Sequence, residues 1–169
     1  MSSKLIAEPH SGGVFNPNKN ITRAEFATFI AKGLGLEADT STASRFPDVN
    51  ASGTTAAYIG AATKAGIITG YTDGTFKPNS NITREQMALM MVRAMDYAGY
   101  NTGLSSTSTQ YLSRFKDMSK IQNKETVAKA VNQGIMQGIS TNVFQPQGNA
   151  TRAQAVVMIK RVLDKLNYL

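Results

Sequence analysis

Three copies of one short motif constrain this chain more than any other feature. The copies are GGVFNPNKNITRAEF at 12–26, DGTFKPNSNITREQM at 73–87 and TNVFQPQGNATRAQA at 141–155. Each contains Phe-x-Pro, an Asn three residues after the Pro, and Thr-Arg two residues after that Asn. Because the spacing is kept three times, the motif indicates an internal repeat, and we predict an array of three units.

The second and third copies extend further towards the amino terminus. RFPDV at 45–49 matches RFKDM at 114–118, and AATKAGIITGY at 61–71 matches AVNQGIMQGIS at 130–140. The first copy starts inside this pattern, so we expect it to lack its front part. We place the repeats at 1–36, 46–98 and 115–169, and expect them to form one compact domain. The segments 37–45 and 99–114 are polar, rich in Ser and Thr, and predicted to be linkers.

Helix signals follow the motif in each repeat. The Thr of each Thr-Arg pair is predicted to be an N-cap, because Glu or Gln follows three residues later and completes a capping box; the pairs are Thr22 with Glu25, Thr83 with Gln86, and Thr151 with Gln154. Apolar residues then recur at helical spacing, which favours a packed bundle over a Met-rich binding surface at 87–95. A preceding helix is expected to end at Gly66 and at Gly134. Each unit is therefore helix, loop, helix, and Pro78 favours a loop over a hairpin at 71–76.

The charge and composition limit the classes of function. A formal charge of +7 favours an anionic partner, which leaves nucleic acid, acidic lipid and anionic polysaccharide open. The Lys and Arg residues are scattered without a basic run, which argues against nucleic acid. No run reaches the roughly 18 apolar residues of a membrane span, so no membrane insertion is expected. With no Cys and a single His, we expect no enzyme activity, no metal site and no cofactor.

An arginine repeatedly occupies an unfavourable place. Arg23, Arg84 and Arg152 each stand at the first position of a predicted helix, where the macrodipole disfavours a cation by roughly 0.3–1 kcal/mol. One interpretation is an anion site, in which the guanidinium acts together with the N–H groups of the helix end. The alternative is an ion pair within the protein, to a carboxylate of the same or a neighbouring unit.

The repeats resemble the S-layer homology (SLH) repeat. The resemblance rests on Phe-x-Asp-Val, Gly-Ile-Ile-Thr-Gly-Tyr-x-Asp-Gly-Thr-Phe-x-Pro and Ile-Thr-Arg, and it covers nearly the whole chain outside the linkers. It implies a mainly α fold, a pseudo-threefold trimer of repeats within one chain, with a central three-helix bundle. It also implies a monomeric, non-catalytic module that anchors proteins on the cell wall of a Gram-positive-type bacterium.

The ligand implied by the resemblance is an anionic, commonly pyruvylated, secondary cell-wall polysaccharide bound in grooves between repeats. The alternative is a protein–protein assembly module of a surface layer. The residues to which the family's ligand-binding role carries over are Thr22, Arg23, Thr83, Arg84, Arg152 and Gln154 of the Thr-Arg motif, Asp48 and Asp117 of Phe-x-Asp, and Gly70, Tyr71 and Gly138 of the loop before Phe-x-Pro. The family's Trp is replaced by Thr54 and Gln122. We expect the grooves beside Arg23 and Arg84 to function, because a complete unit follows each.

Overall fold

The computed structural model describes residues 15–50 and 52–168. Within these ranges the secondary structure is helical, without a β-strand. The helices are α1 (Arg23–Leu34), α2 (Thr40–Ala43), α3 (Thr54–Lys64), α4 (Arg84–Tyr97), α5 (Ser108–Leu112), α6 (Lys124–Asn132) and α7 (Arg152–Lys165), with a 3-10 turn at Met118–Lys120. The predicted mainly α fold is confirmed.

The three motif helices begin as their sequences predict. In α1 the Thr22 hydroxyl accepts a hydrogen bond from the Glu25 N–H at 3.2 Å, and the Glu25 carboxylate accepts one from the Thr22 N–H at 2.9 Å. The same reciprocal capping box opens α4 and α7, with Gln in place of Glu. Helix α1 ends at Gly35, whose φ of 67° lies in the left-handed region that favours glycine.

A closed ring of backbone hydrogen bonds joins the three units just before these helices. Ile21 N–H donates to the Ala150 carbonyl at 2.9 Å, Ala150 N–H to the Ile82 carbonyl at 3.0 Å, and Ile82 N–H to the Ile21 carbonyl at 3.2 Å. Each residue therefore plays the same part in its own unit. The ring gives the fold its pseudo-threefold symmetry and brings the amino-terminal ends of α1, α4 and α7 together.

The core runs along the bundle of motif helices. Helix α7 packs against both α1 and α4, and Gly33 of α1 lies against Leu163 of α7. The methionines of α4 are buried, which confirms that they belong to the core. Helix α3 packs on α1, and α6 packs on α4. The motif helices α1 and α4 are thus each covered by the first helix of the following unit.

Both predicted linkers contain a short helix. Helix α2 lies in 37–45 and α5 lies in 99–114, and each buries one apolar side chain, Ala43 or Leu112. Asp39 caps α2 by accepting from the Thr42 N–H, and α2 packs on α3. The segments are therefore folded against the domain. The stretch at 71–76 is a loop, as predicted, closed by a hydrogen bond from Tyr71 N–H to the Thr75 carbonyl at 2.8 Å.

Candidate functional site

The motif arginines lie at the seams between units and are nearly buried. Arg23 is 4% exposed; its Nε donates to the Phe76 carbonyl at 2.8 Å, and a terminal nitrogen donates to the Thr69 carbonyl at 3.0 Å. Arg84 makes the equivalent bonds to Phe144 at 2.9 Å and Gln137 at 2.6 Å. Desolvation lowers the pKa of both arginines from their usual value, although a guanidinium stays charged.

The N–H groups at the start of each motif helix are already occupied. The N–H of Arg23 donates to the Ser80 carbonyl at 2.9 Å, and that of Ala24 donates to the Pro78 carbonyl at 3.0 Å. The other two units repeat this pattern around the ring. The hypothesis that these N–H groups join the guanidinium in binding an anion is therefore wrong, and only the arginine side chain remains for that role.

The three seams differ in their charge. Arg152, which is 2% exposed, forms an ion pair with Glu25 of the first unit at 2.6 Å. The positions equivalent to Glu25 hold Gln86 beside Arg23 and Gln154 beside Arg84. Among the described residues, neither Arg23 nor Arg84 has a carboxylate at ion-pair distance. The ion-pair alternative thus holds for Arg152, while the other two guanidiniums lack such a partner.

A groove opens at each of these two seams. The first groove, of about 190 Å³, is lined by Arg23, Thr69, Gly70, Tyr71, Gln86, Leu89, Met90 and Arg93. Its wall includes the Tyr71 ring, which lies 4.7 Å from the guanidinium carbon of Arg23. A guanidinium so close to an aromatic face is held by cation–π attraction. The structure therefore brings together Arg23, Gly70 and Tyr71.

The second groove repeats this arrangement one unit further on. Its volume is about 410 Å³, and its lining residues are Arg84, Gln137, Gly138, Ile139, Ala153, Gln154, Val157, Met158 and Arg161. Ile139 replaces Tyr71 and is 51% exposed, so this groove has an aliphatic side chain where the first has an aromatic ring. Here the structure brings together Arg84, Gly138 and Gln154.

Each groove contains a second arginine that the sequence reasoning missed. Arg93 of α4 lines the first groove and Arg161 of α7 lines the second. They occupy the same helix position in their repeats, and the first repeat has Lys32 there, so aligning the helices beyond the motif would have revealed them. The Arg161 guanidinium is fixed by a hydrogen bond to the Ile135 carbonyl at 3.1 Å. Neither lining includes a carboxylate, so each groove presents two cations.

The comparisons with known proteins agree with this architecture. A family model described as S-layer homology domain matches residues 2–27, 45–88 and 114–156. The chain belongs to the S-layer homology domain family. The three matched segments correspond to the three repeats, with the first match shorter than the others.

Several characterised proteins contain a similar SLH region. The chain is 38% identical to an endoglucanase of Bacillus sp. (strain KSM-635), over 92% of this chain and 16% of that protein. It is 31% identical to a cellulosome-anchoring protein of Acetivibrio thermocellus, over 92% of this chain and 35% of that protein. It is 33% identical to an S-layer protein of Bacillus thuringiensis subsp. finitimus, over 88% of this chain and 17% of that protein. The SLH domain is a non-catalytic anchoring domain, and the chain spans at most about a third of these relatives.

The loop glycines of the SLH repeats are required by close packing. A Cβ atom on Gly70 would lie 2.5 Å from Cε1 of Phe46, and one on Gly138 would lie 2.7 Å from Cε1 of Phe115. Both glycines therefore let the loop lie directly on the Phe-x-Asp segment of its own repeat. Their contribution to the grooves is the shape of the wall.

The Phe-x-Asp aspartates hold the Phe-x-Pro turn. The Asp48 carboxylate accepts hydrogen bonds from the N–H groups of Phe76 at 2.8 Å and Lys77 at 2.7 Å. Asp117 binds the turn of its own repeat in the same way, through the N–H groups of Phe144 and Gln145. Burial would raise the pKa of each aspartate, but these hydrogen bonds outweigh it and lower the pKa below its usual range. Asp48 lines a separate groove at the start of α3.

The remaining residues that were predicted to bind a ligand make contacts that stabilise the fold. Thr22 and Thr83 are N-caps, and their hydroxyls face the first turns of α1 and α4. Arg152 donates from Nε to the Phe15 carbonyl at 2.9 Å. The loop of the first repeat that would complete a groove beside Arg152 lies in 1–14, outside the described residues.

The described residues contain neither a membrane-spanning helix nor a cluster of metal ligands. Across 15–50 and 52–168, no helix has the length and apolar character needed to cross a bilayer. The same ranges contain no group of three or more His, Cys, Asp or Glu side chains arranged to hold a metal ion.

Proposed function

We propose that this chain anchors its parent protein to the cell wall of a Gram-positive-type bacterium by binding an anionic wall polysaccharide in the first and second grooves. The observation that carries the proposal is the difference between the three seams. Glu25 pairs with Arg152, whereas Gln86 and Gln154 give Arg23 and Arg84 no carboxylate at ion-pair distance, and the nearby carboxylates, Asp48 and Asp117, act on them only from further away. A nearly buried cation without a directly paired carboxylate favours an anion supplied from outside.

The groove chemistry suits a carboxylated amino sugar, such as a pyruvylated one. A ketal carboxylate is ionised at neutral pH, and a guanidinium binds a carboxylate through two parallel hydrogen bonds. The second arginine, Arg93 or Arg161, adds a further cation to each groove. Apolar faces of a sugar ring can rest on Tyr71 in the first groove and on Ile139 and Val157 in the second. The similarity to a cellulosome-anchoring protein and to an S-layer protein supports a role at the cell surface.

The first test is co-sedimentation with purified cell-wall sacculi. We expect the chain to sediment with intact sacculi and to stay in solution when the polysaccharide has been chemically removed. Equal binding to intact and stripped walls would contradict the proposal. In that case the protein–protein assembly alternative would be tested next, by following self-association of the free chain with concentration.

Charge-introducing variants test the grooves without removing the structural arginines. Gln86→Glu and Gln154→Glu give Arg23 and Arg84 the counter-ion that Glu25 gives Arg152, so the fold should be kept. We expect the double variant to bind intact sacculi at least about tenfold more weakly, which corresponds to about 1.4 kcal/mol. Gln110→Glu, at an exposed site on α5, makes the same charge change and should bind as the wild type does. Unchanged binding by the double variant would exclude these grooves.

A further inference from the structure

An Asp-Gly pair lies at the exposed tip of the loop that forms one wall of the first groove. Asp73 and Gly74 lie between Tyr71, which lines the groove, and Phe76, whose carbonyl holds Arg23. Both residues of the pair are exposed to solvent. The sequence contains no other Asp-Gly pair. A chemical change at this pair would therefore act on the loop that shapes the first groove.

Asp-Gly is the pair in which a backbone nitrogen most readily attacks the preceding side chain, because glycine has no Cβ atom to shield that nitrogen. The Gly74 nitrogen bonds to Cγ of Asp73, and the carboxyl hydroxyl leaves with the amide proton as water. Hydrolysis of the resulting succinimide ring takes up one water again. Opening at one carbonyl restores aspartate, and opening at the other gives isoaspartate, in which the main chain runs through Cβ and Cγ. The net reaction is an isomerisation and needs no co-reactant.

Several contacts engage both reacting groups of the pair. Oδ1 of Asp73 accepts hydrogen bonds from the Thr75 N–H at 2.9 Å and from the Thr75 hydroxyl at 2.6 Å. Oδ2 of Asp73 pairs with Nζ of Lys77 at 3.2 Å. The Gly74 N–H donates to the Tyr71 carbonyl at 3.0 Å. The carboxylate and the attacking nitrogen are thus each bound to a partner other than one another.

The same contacts keep the carboxyl group in its unreactive form. Hydrogen bonds from the Thr75 hydroxyl and N–H, together with the interaction with Lys77, lower the pKa of Asp73 to about 2. Only the neutral carboxyl group can lose its hydroxyl as water, since a carboxylate has no such leaving group. The reactive form of Asp73 is therefore rare at neutral pH.

The third repeat closes the same loop without this pair. Its residues 141–143 read Thr-Asn-Val where residues 73–75 read Asp-Gly-Thr. The Val143 carbonyl accepts from the Ile139 N–H at 2.9 Å, as the Thr75 carbonyl accepts from the Tyr71 N–H at 2.8 Å. Closure of the loop therefore requires neither an aspartate nor a threonine hydroxyl.

We infer that Asp73 is a site of backbone isomerisation, and that Thr75 and Lys77 form a clamp on its carboxylate that slows the reaction. Isoaspartate lengthens the main chain between Tyr71 and Phe76 and moves the carboxylate, so the clamp cannot form again in the same way. Isomerisation is therefore expected to distort the first groove and to leave the second groove intact. This chemistry does not depend on the function proposed for the grooves.

The test is to age the full chain in mildly acidic buffer and to follow isoaspartate at Asp73 by peptide mapping. Thr75→Val copies Val143 and removes the hydroxyl of the clamp, and Lys77→Gln copies Gln145 and removes its ammonium group. Because each variant loses one contact to the carboxylate, we expect each to isomerise at least about threefold faster than the wild type, and the double variant faster still. A double variant that isomerises at the wild-type rate would overturn the inference.

A matched variant separates the clamp from a general effect on the loop. Thr75→Ser keeps the hydroxyl and should isomerise as slowly as the wild type. Thermal unfolding of all variants checks that the fold is kept, which the third repeat's own Val143 and Gln145 lead us to expect. If Thr75→Ser isomerised as fast as a folded Thr75→Val, the hydroxyl would not belong to the clamp.

The effect on the groove is measured on the aged chain itself. In two-dimensional NMR spectra of chains that contain isoaspartate, we expect shifted amide signals at Tyr71 and Arg23 and an unchanged signal at Arg84. Unshifted signals at Tyr71 and Arg23 would show that isomerisation does not reach the first groove, contrary to the inference.

Discussion

At the scale of single residues, Glu25 and Gln86 occupy the same helix position but leave the neighbouring arginine in different states. Both side chains complete the capping box of their own helix. Only Glu25 also reaches across a seam, where it pairs with the nearly buried Arg152. The change from the carboxylate of Glu to the amide of Gln thus decides whether the arginine at a seam is paired within the protein or presented to a ligand.

The Arg152 ion pair should contribute to stability. Glu25→Gln keeps the capping box, as Gln does in the other repeats, but removes the carboxylate charge that pairs with the Arg152 guanidinium. We expect the free energy of unfolding to fall by about 1–3 kcal/mol at pH 7, measured by urea denaturation. The exposed Glu37→Gln makes the same charge change and should cost less than about 0.5 kcal/mol. Equal effects of the two variants would show that the pair adds no stability.

The Phe-x-Asp carboxylates should make stability depend on pH in the acid range. The folded pKa of Asp117 lies below its usual range, while its unfolded pKa is about 3.9. Its contribution is therefore complete above the unfolded pKa and is lost as the pH falls through the folded pKa. We expect Asp117→Asn to be less stable than the wild type at pH 7. Between pH 5 and pH 2, the variant should lose less stability than the wild type loses.

Urea denaturation across this pH range measures the difference. Asp164→Asn, on the exposed end of α7, is the matched control and should retain the acid dependence of the wild type. If Asp117→Asn showed the full wild-type dependence, the hydrogen bonds to Phe144 and Gln145 would not be its source.

At the scale of elements, the Phe-x-Pro turn combines a strained residue with a carboxylate that holds it. The central residue has positive φ in all three repeats: 50° at Asn16, 57° at Lys77 and 59° at Gln145. For residues with a Cβ atom this left-handed conformation costs roughly 1–2 kcal/mol. Asp48 and Asp117 bind the N–H groups of Lys77 and Gln145, respectively, and so help to hold the turn.

Glycine should relieve this strain. Gln145 is exposed, so Gln145→Gly removes the Cβ atom with little loss of packing, and we expect a gain of roughly 0.5–1 kcal/mol after the larger entropy of unfolded glycine is counted. Gln145→Ala keeps the Cβ atom and controls for loss of the side chain. Thermal unfolding should therefore show a higher Tm for the glycine variant than for the alanine variant. Equal Tm values would mean that the turn carries no such strain.

Which elements could be predicted depends on how local their causes are. The starts of α1, α4 and α7 were predictable, because a capping box is encoded within four residues. Helices α2 and α5 were missed, because each is short and gains its stability by burying Ala43 or Leu112 against another element. The left-handed residues were missed too, since Asn, Lys and Gln share no preference that marks this conformation in the sequence.

At the scale of the whole molecule, the repeats are linked in a cycle in which each one completes the next. The ring through Ile21, Ile82 and Ala150 closes only when all three are present. The presence of three repeats could be predicted from the sequence motif, and the three-helix bundle could be predicted from the family resemblance. The motif arginines and Gly70, Tyr71 and Gly138 were predicted for the site, but the seam charges were not. Those charges depend on pairs such as Arg152 and Glu25, which come from opposite ends of the chain.

The cyclic arrangement predicts that the first two repeats cannot fold without the third. A chain ending at residue 114 loses the Phe144 and Gln137 carbonyls that accept from Arg84, the Ala150 carbonyl that accepts from Ile21, and the α7 face that covers α1 and α4. Buried polar groups left without partners cost about 1–3 kcal/mol each, and together with the exposed core they exceed the 5–15 kcal/mol of a typical domain. We therefore expect poorly dispersed NMR spectra and no cooperative thermal transition for this fragment.

Cleavage of the full chain in the exposed segment at 105–107 is the matched control, because it breaks the backbone while keeping every repeat. The two pieces should remain associated on size exclusion and melt in one transition, since the seams that join them are non-covalent. A fragment ending at residue 114 that melts cooperatively would show that the repeats fold independently. The grooves would then be interfaces between separate modules, and binding of the wall polymer should itself drive the docking of the third repeat.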